Sequence, residues 1–338
     1  MTRLPGADQM AAGSGCVTGA ISDLTMAACE VYSAPMRLCR FGNGRLGAVD
    51  GETVRDVTAA LDVLPVYRYP FPEHDVFIAH LDAVTARVRD IVAQAPAVPL
   101  TGLALLSPVA NPGKIIAAPV NYQKHLDEVR GDAALHANTT GHTLTIQSAG
   151  VFLKATSSLV GPGEGIAVRR DDRRTDHEIE LAFVIGRTAD RVPRQEAMQY
   201  VAGYAIGLDI TIRGSEDRSF RKSADTYTVL GPWLVTADEI PDPAALDLEI
   251  SVNGGIRQRS NTRYLILGVA ELIELASSFY TLHPGDIVLT GTPEGVSPIE
   301  PGDVVVATIE RIGTMQVHVR AADASGIPEM SAAATGRS

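Results

Sequence analysis

Cysteine is scarce: the 338-residue chain has only Cys16, Cys29 and Cys39, all before residue 40. An odd set without metal-ligand spacing reads as free thiols in a reducing compartment, so the expected location is cytoplasmic. Basic residues are also in deficit, with 29 Lys and Arg against 40 Asp and Glu and a net charge of −11. Nucleic-acid phosphates demand clustered Lys and Arg, so no nucleic-acid partner is expected. An anionic substrate is not excluded, because a bound metal and a few placed cations can dominate a local field. Long apolar runs are missing too: none approaches the ~20 residues that span a bilayer. The first 35 residues lack the sustained apolar segment of a secretory signal, so no membrane partner is expected either. Residues 1–35 have no clear period and are expected to be partly disordered. No internal repeat of fixed period is visible.

What is present fits a soluble globular protein, 45% apolar and 20% charged, long enough for two domains or one large, well-buried one. Met36 to Phe41 alternates like a strand, Gly42-Asn43-Gly44 turns, and Leu46 to Val49 returns, which is a hairpin signature. Leu81, Val84, Val88 and Ile91-Val92 recur at helical spacing between His80 and Ala93. Pro96, Pro99 and Pro108 then punctuate a linker, which closes a small N-terminal α+β domain over residues 36–110. Beyond it, Lys114 to Pro119 reads as an apolar strand, and residues 129–150 as a Gly-, Ala- and Thr-rich mobile loop. Arg194 to Val201 looks helical, and Leu265 to Phe279 is the clearest helix. Leu246 to Val252 alternates into the hairpin turn Asn253-Gly254-Gly255. Two Pro-Gly-Asp turns, at 284–286 and 301–303, each precede a Val/Ile-rich strand. Many short strands with Gly and Pro turns favour a closed or rolled β architecture over a doubly wound sheet.

The most informative stretch is Asp176-His177-Glu178-Ile179-Glu180-Leu181-Ala182-Phe183-Val184-Ile185-Gly186. A strand this apolar has no evident use for two carboxylates, yet alternation puts Glu178 and Glu180 on one face. Like charges side by side repel, and buried ones need a partner. A divalent cation with oxygen ligands is the simplest compensation. Asp209, an acid inside the apolar run Gly207 to Ile212, is a third candidate ligand. The competing reading is an edge strand with its acids in solvent. His177 points to the opposite face and is excluded from the metal site. His125 and Glu128, three apart in a short helical turn, share a face. They are either an incidental exposed pair or a carboxylate orienting an imidazole that takes a proton from water.

In order along the chain, Pro112-Gly113-Lys114-Ile115-Ile116, Asn121-Tyr122…His125…Glu128, Phe152-Leu153-Lys154, His177-Glu178-Ile179-Glu180-Leu181, Gly203-Tyr204 to Arg213 and Lys222-Ser223…Asp225-Thr226 form one series. It continues through Gly231-Pro232-Trp233-Leu234-Val235, Val252-Asn253-Gly254…Arg257-Gln258, Pro284-Gly285-Asp286-Ile287-Val288 and Thr290-Gly291-Thr292-Pro293-Glu294-Gly295-Val296. The series resembles the catalytic domain of the fumarylacetoacetate hydrolase superfamily, from about Pro112 to Gly313. The resemblance implies a mainly β fold with some helix, a rolled, mostly antiparallel sheet over residues 111–325; residues 326–338 are expected to be a flexible tail. It implies that Glu178, Glu180 and Asp209 hold Mg²⁺, Mn²⁺ or Ca²⁺, leaving about half the coordination shell open for a keto acid. His125 and Glu128 become a catalytic dyad on a lid. Lys154 becomes a catalytic lysine that stabilises developing negative charge, rather than a solvated edge residue. Lys222 becomes a lysine beside the metal shell that offsets the carboxylates. Tyr122, Arg213 and Thr292 become substrate-binding residues, the guanidinium fork of Arg213 matching a carboxylate.

One departure concerns the stretch after Asp209, where Arg213 is followed by Gly214-Ser215-Glu216 instead of the family's Arg-Asp and a nearby Gln. An acid there disfavours an anionic substrate group, with Asp217 adding charge and only Arg218 to compensate. The expected function is a metal-dependent hydrolase that cleaves a C–C bond in an acylpyruvate-like 2,4-diketo acid through a metal-stabilised enolate. A decarboxylase, an isomerase or hydratase of a related keto acid, and a non-catalytic metal-binding homologue are the alternatives. A homodimer is expected from the resemblance and from apolar strands such as Ile287-Val288-Leu289, which could extend a shared sheet.

Overall fold

A computed structural model describes residues 36–131 and 145–322 of the chain. The expected disorder of residues 1–35 and of the 326–338 tail lies outside the described residues, as does most of the expected 129–150 loop. The described ends of that loop are helical: Gln123–Gly131 runs through residue 131, and Ile146–Ala149 forms a short turn of helix.

The first hairpin forms where alternation places it, with Arg37–Phe41 antiparallel to Arg45–Asp50 and Phe41 opposite Arg45. Its first strand also pairs with Thr228–Thr236, so the prolines near residue 110 do not interrupt the sheet. Among the described residues, a 12-stranded sheet runs from Ala97–Pro99 through this hairpin to Thr228–Thr236, Val201–Asp209, Ile179–Ile185, Ile287–Leu289, Ile115–Ala117 and Phe152–Lys154. Pairing is mostly antiparallel; Ile287–Leu289 against Ile115–Ala117 is one parallel exception. Ile287–Leu289 is hydrogen-bonded on both edges and cannot extend a sheet into a second subunit.

Both faces of the sheet are covered, which is why its central strands are apolar at every position rather than at alternate ones. Ile179, Leu181, Phe183 and Ile185 pack on one side, with Leu248, Ile250, Val305 and Met315 of a five-stranded sheet and with Leu272 and Ile273 of the helix Val269–Phe279. Ala182 and Val184 face the other side, against Leu81, Val84 and Val88 of the helix Leu81–Ile91.

Two expected helices are shorter than their periodicity. Residues Thr262–Tyr264 form a 3₁₀ turn capped by Asn261, Leu265 bridges to Tyr122, and the α-helix begins only after Gly268. The Arg194–Val201 segment is helical only as a 3₁₀ turn, Ala197–Tyr200, because Val201 already enters the sheet. Among the described residues no helix is long and apolar enough to cross a membrane.

Candidate active site

The candidate site lies where strands leave the large sheet. A small three-stranded sheet is made from Thr175–His177, Thr211–Ile212 and Ser297–Pro298. Each of these strands is a short step along the chain from a long one: Glu178 separates Thr175–His177 from Ile179–Ile185, Ile210 separates Val201–Asp209 from Thr211–Ile212, and residues 290–296 follow Ile287–Leu289. The Asp209 amide donates to the Glu178 carbonyl (2.9 Å), which locks the two crossing points together. Acids embedded in apolar strands thus converge at the corner between two sheets, as the alternation of Glu178 and Glu180 implies.

Glu178, Glu180 and Asp209 are all buried and offer carboxylate oxygens that lie within 4.8 Å of one another. Lys222 Nζ donates to Glu178 Oε2 (2.6 Å), Asp209 Oδ2 (2.7 Å) and Thr211 Oγ1 (2.6 Å), so it uses all three of its hydrogens. Lys154 Nζ donates to Asp209 Oδ1 and to the Tyr227 carbonyl. Burial pulls the Lys154 ammonium below the ordinary lysine value, against the opposing pull of Asp209. Burial alone would raise Glu178, but Lys222 and Arg213 overcome it and hold that carboxyl well below the usual carboxylate range. Glu180 is the reverse case. Burial, Asp209 and Glu178 push it far above the usual range, and its contact from the Gly291 amide only partly opposes them.

The lysines therefore hydrogen-bond Glu178 and Asp209 and leave Glu180 without a cationic hydrogen-bond partner. An all-carboxylate donor set with an unmatched charge fits a hard divalent cation. Glu180 is held in place by the turn Thr290-Gly291-Thr292. Asn121 Nδ2 donates to the carbonyls of Thr290 and Leu267, both at 2.8 Å, and pins this turn to the chain ahead of the helix Val269–Phe279. Gly291 has φ +96°, and a Cβ there would meet Asn121 Cβ at 2.7 Å, so only glycine presents its amide to Glu180 unstrained.

His125, one turn into the helix Gln123–Gly131, is buried, and its Nδ1 lies 2.8 Å from Glu128 Oε2. A carboxylate only accepts, so Nδ1 carries the proton and Nε2 keeps a free lone pair. Glu128 Oε1 accepts the Gly295 amide at 3.0 Å, which ties the helix to the turn that follows Thr292. The Tyr122 hydroxyl is buried without a hydrogen-bond partner, and burial, with Glu180 and Glu294 nearby, pushes its ionisation well above the ordinary tyrosine value.

Two residues expected to bind substrate are otherwise engaged. Arg213 Nε donates to Asp176 Oδ2 (2.8 Å) and Nη2 to Glu178 Oε1 (3.0 Å), so these two nitrogens of its fork clamp the acids. Thr292 has one hydroxyl hydrogen, and it goes to the Ile179 carbonyl at 2.8 Å. The acid at Glu216 is also engaged: Arg173 grips both its oxygens at 2.8 Å. The sequence reading missed Gln258 as a scaffold. Its Nε2 donates to Thr292 Oγ1 (2.9 Å) and the Pro293 carbonyl (2.7 Å), while its Oε1 accepts the Ile179 amide at 3.2 Å. His177, as expected, points away, to Gln258 and to Ser297 Oγ (2.8 Å), and burial lowers its pKa to about 4. Gln258 stood in the resembling series as part of Val252-Asn253-Gly254…Arg257-Gln258, but a polar residue in the strand Gly255–Asn261 carries no sign of this scaffold role.

Residues 114–320 match the family model described as fumarylacetoacetate (FAA) hydrolase C-terminal. A maleylpyruvate hydrolase from Aquipseudomonas alcaligenes is 59% identical over 285 residues, 84% of this chain and 99% of the relative. A 2,4-didehydro-3-deoxy-L-rhamnonate hydrolase from a Sphingomonas species is 34% identical over 304 residues, 84% of this chain and 96% of its own. Among solved structures, a maleylpyruvate hydrolase from Sphingobium sp. SYK-6, in complex with manganese(II) and pyruvate, superposes with a TM-score of 0.72 at 38% identity, covering 85% of this chain and 99% of that one. With its family model matched over most of the catalytic segment and a relative this similar along nearly its whole length, the chain belongs to the fumarylacetoacetate hydrolase family.

Proposed function

We propose that the protein is a metal-dependent hydrolase that cleaves the C–C bond of an acylpyruvate. The observation that carries this reading is the buried cluster Glu178, Glu180 and Asp209 beside the His125–Glu128 pair. Relatives that act on maleylpyruvate, one of them with manganese(II) and pyruvate bound, support the substrate class. Glu178, Glu180 and Asp209 would hold a divalent ion, Mn²⁺ or alternatively Mg²⁺ or Ca²⁺, which would supply Lewis-acid polarisation of the keto-acid end of the substrate.

The chain's own residues do the rest. His125 Nε2 takes a proton from the water that attacks the distal carbonyl, and Glu128 holds the imidazole in the tautomer that leaves Nε2 free. His125 then returns the proton to the carbanionic carbon of the leaving enolate. Tyr122, with an unengaged hydroxyl in a dry setting, donates to a substrate oxygen. Lys222 and Lys154 hold the Glu178 and Asp209 carboxylates in place before any cation arrives. Arg213 fixes Glu178 from the opposite side.

The test is turnover on a panel of keto acids with Mn²⁺. Loss of diketo absorbance with stoichiometric pyruvate release is expected from maleylpyruvate and other acylpyruvates. Carbon dioxide from oxaloacetate without hydrolysis of the panel would make the protein a decarboxylase, and absorbance changes without pyruvate would make it an isomerase or hydratase. No turnover at all would leave a non-catalytic metal-binding homologue. A homodimer is part of the same proposal and rests on family membership, since the strand first considered for it is interior. Light scattering that returns the single-chain mass of 35.8 kDa at micromolar concentration refutes it.

A further inference from the structure

The segment between Asp209 and Lys222 contains three arginines, and two of them donate to acceptors within the protein. Arg213 clamps Asp176 and Glu178. Arg221 donates to the carbonyls of Glu216 (2.8 Å) and Ile212 (2.9 Å), which closes the loop on itself. Arg173 reaches in from outside to take Glu216. Arg218 differs: it is half-buried, yet among the described residues no acceptor engages its guanidinium. Its neighbour Asp217 caps the Ser219 amide at 2.8 Å instead of pairing with it. The guanidinium carbon lies 5.7 Å from the centroid of the Phe152 ring, and Lys222 Nζ lies 5.9 Å from the same centroid. Arg218 is therefore on the same flank as the lysine that contacts the carboxylate cluster, within electrostatic range of Glu178 and Asp209 but unpaired with either.

Guanidinium groups are always charged and carry five donors, so a half-buried one without an acceptor is costly unless a ligand supplies one. The stacking surface of Phe152 holds the group in place without occupying its in-plane donors. Lys222 spends its three hydrogens on Glu178, Asp209 and Thr211, which leaves the Arg218 fork for a group further along a bound substrate.

We propose that Arg218 selects substrates carrying a second carboxylate at the end of the acyl chain, distal to the keto-acid end that faces Glu178, Glu180 and Asp209. This deepens the acylpyruvate reading and rests on it for the orientation of the substrate. It reverses the implication of Glu216, whose charge is neutralised by Arg173 and does not repel such a group.

The test compares acylpyruvates with a terminal carboxylate and with a terminal methyl group, in wild type, Arg218→Ala and Arg218→Lys. For the dicarboxylate, Arg218→Ala should lower kcat/KM by roughly ten- to a hundredfold, the scale of one charge-assisted hydrogen bond, mainly through KM. Lysine should restore part of the loss, and the methyl-ended substrate should change by less than about twofold. Equal losses on both substrates, or no loss on either, overturn the proposal. Calorimetry of the Mn²⁺-loaded protein with 2-oxoadipate and with 2-oxohexanoate separates this from the hydrolase reading, because it needs no turnover. Tighter binding of 2-oxoadipate in wild type, lost in Arg218→Ala, sustains the proposal even if no substrate is hydrolysed. A wild type that binds the two equally, or binds neither, overturns it even if hydrolysis is observed.

Discussion

Replacing Glu180 by glutamine separates what the carboxylate cluster costs the fold from what it does for a metal. The side chain keeps its shape and loses a charge that sits within 4.8 Å of those of Glu178 and Asp209. At an effective dielectric near 20, each like-charge contact at that separation costs about 3–4 kcal/mol, and Lys222 cancels part of the sum. A net relief of about 1–3 kcal/mol in metal-free protein is therefore expected once Glu180 would otherwise be ionised.

The pH dependence follows from the direction of the shift. Glu180 titrates above its ordinary 4.5 in the fold, so on raising pH the unfolded chain loses its proton first. Metal-free wild type should lose stability as pH rises from that value toward the elevated folded one, and Glu180→Gln should lack this slope. Thermal unfolding in a chelator at pH 8 should show the variant melting higher by several degrees, at roughly 2–4 °C per kcal/mol for domains somewhat smaller than this chain. With Mn²⁺ at about 100 times the wild-type Kd, wild type should gain about 2.7 kcal/mol and the variant almost none. A metal-free variant less stable than wild type, together with equal protection of both by Mn²⁺, would refute the reasoning.

Other expectations concern the surrounding groups. His125→Ala should lower kcat by about a hundredfold or more while leaving Mn²⁺ affinity nearly unchanged, and Glu128→Gln should also lower kcat; full turnover by His125→Ala would make the imidazole a bystander. Lys222→Met should destabilise metal-free protein in urea by about 3–5 kcal/mol, because it leaves buried Glu178 and Asp209 short of a partner. Glu178 is held below its ordinary 4.5, so its stabilisation is complete in wild type above that pH and is lost progressively as pH falls from there toward the depressed folded value. Much of that contribution should be missing in Lys222→Met at all pH, which a urea series from pH 4 to 8 reads directly. Gly291→Ala should cost about 1–3 kcal/mol of stability through its φ and the Asn121 contact, and should weaken Mn²⁺ binding by displacing the amide that holds Glu180.

The acids were legible in the sequence because the physics that makes them functional also makes them conspicuous. Two carboxylates at i and i+2 in a strand that is otherwise apolar break a pattern that is easy to see, and Asp209 breaks the same pattern thirty residues on. The first hairpin, the helix near residues 81–91 and both Pro-Gly-Asp turns were legible for a similar reason, since each depends on neighbours in the chain. The roles of Arg213 and Thr292 were not legible. An arginine near a carboxylate site fits a substrate fork and a structural clamp equally well from sequence, and the choice depends on where Asp176 and Glu178 lie in space. Thr292 was decided by a strand 113 residues away, whose Ile179 carbonyl takes its only hydrogen.

Period and composition thus determined that this chain builds strands around an acidic centre, because alternation, turn glycines and prolines act over a few residues. Which cations neutralise that centre, which carboxylate is left unmatched, and which arginine remains open were decided only by the tertiary structure. Lys154, Lys222, Arg213 and Arg218 are all cationic side chains near one another in the fold. They differ because the corner between the two sheets gives the first three an acid within reach and leaves the fourth without one.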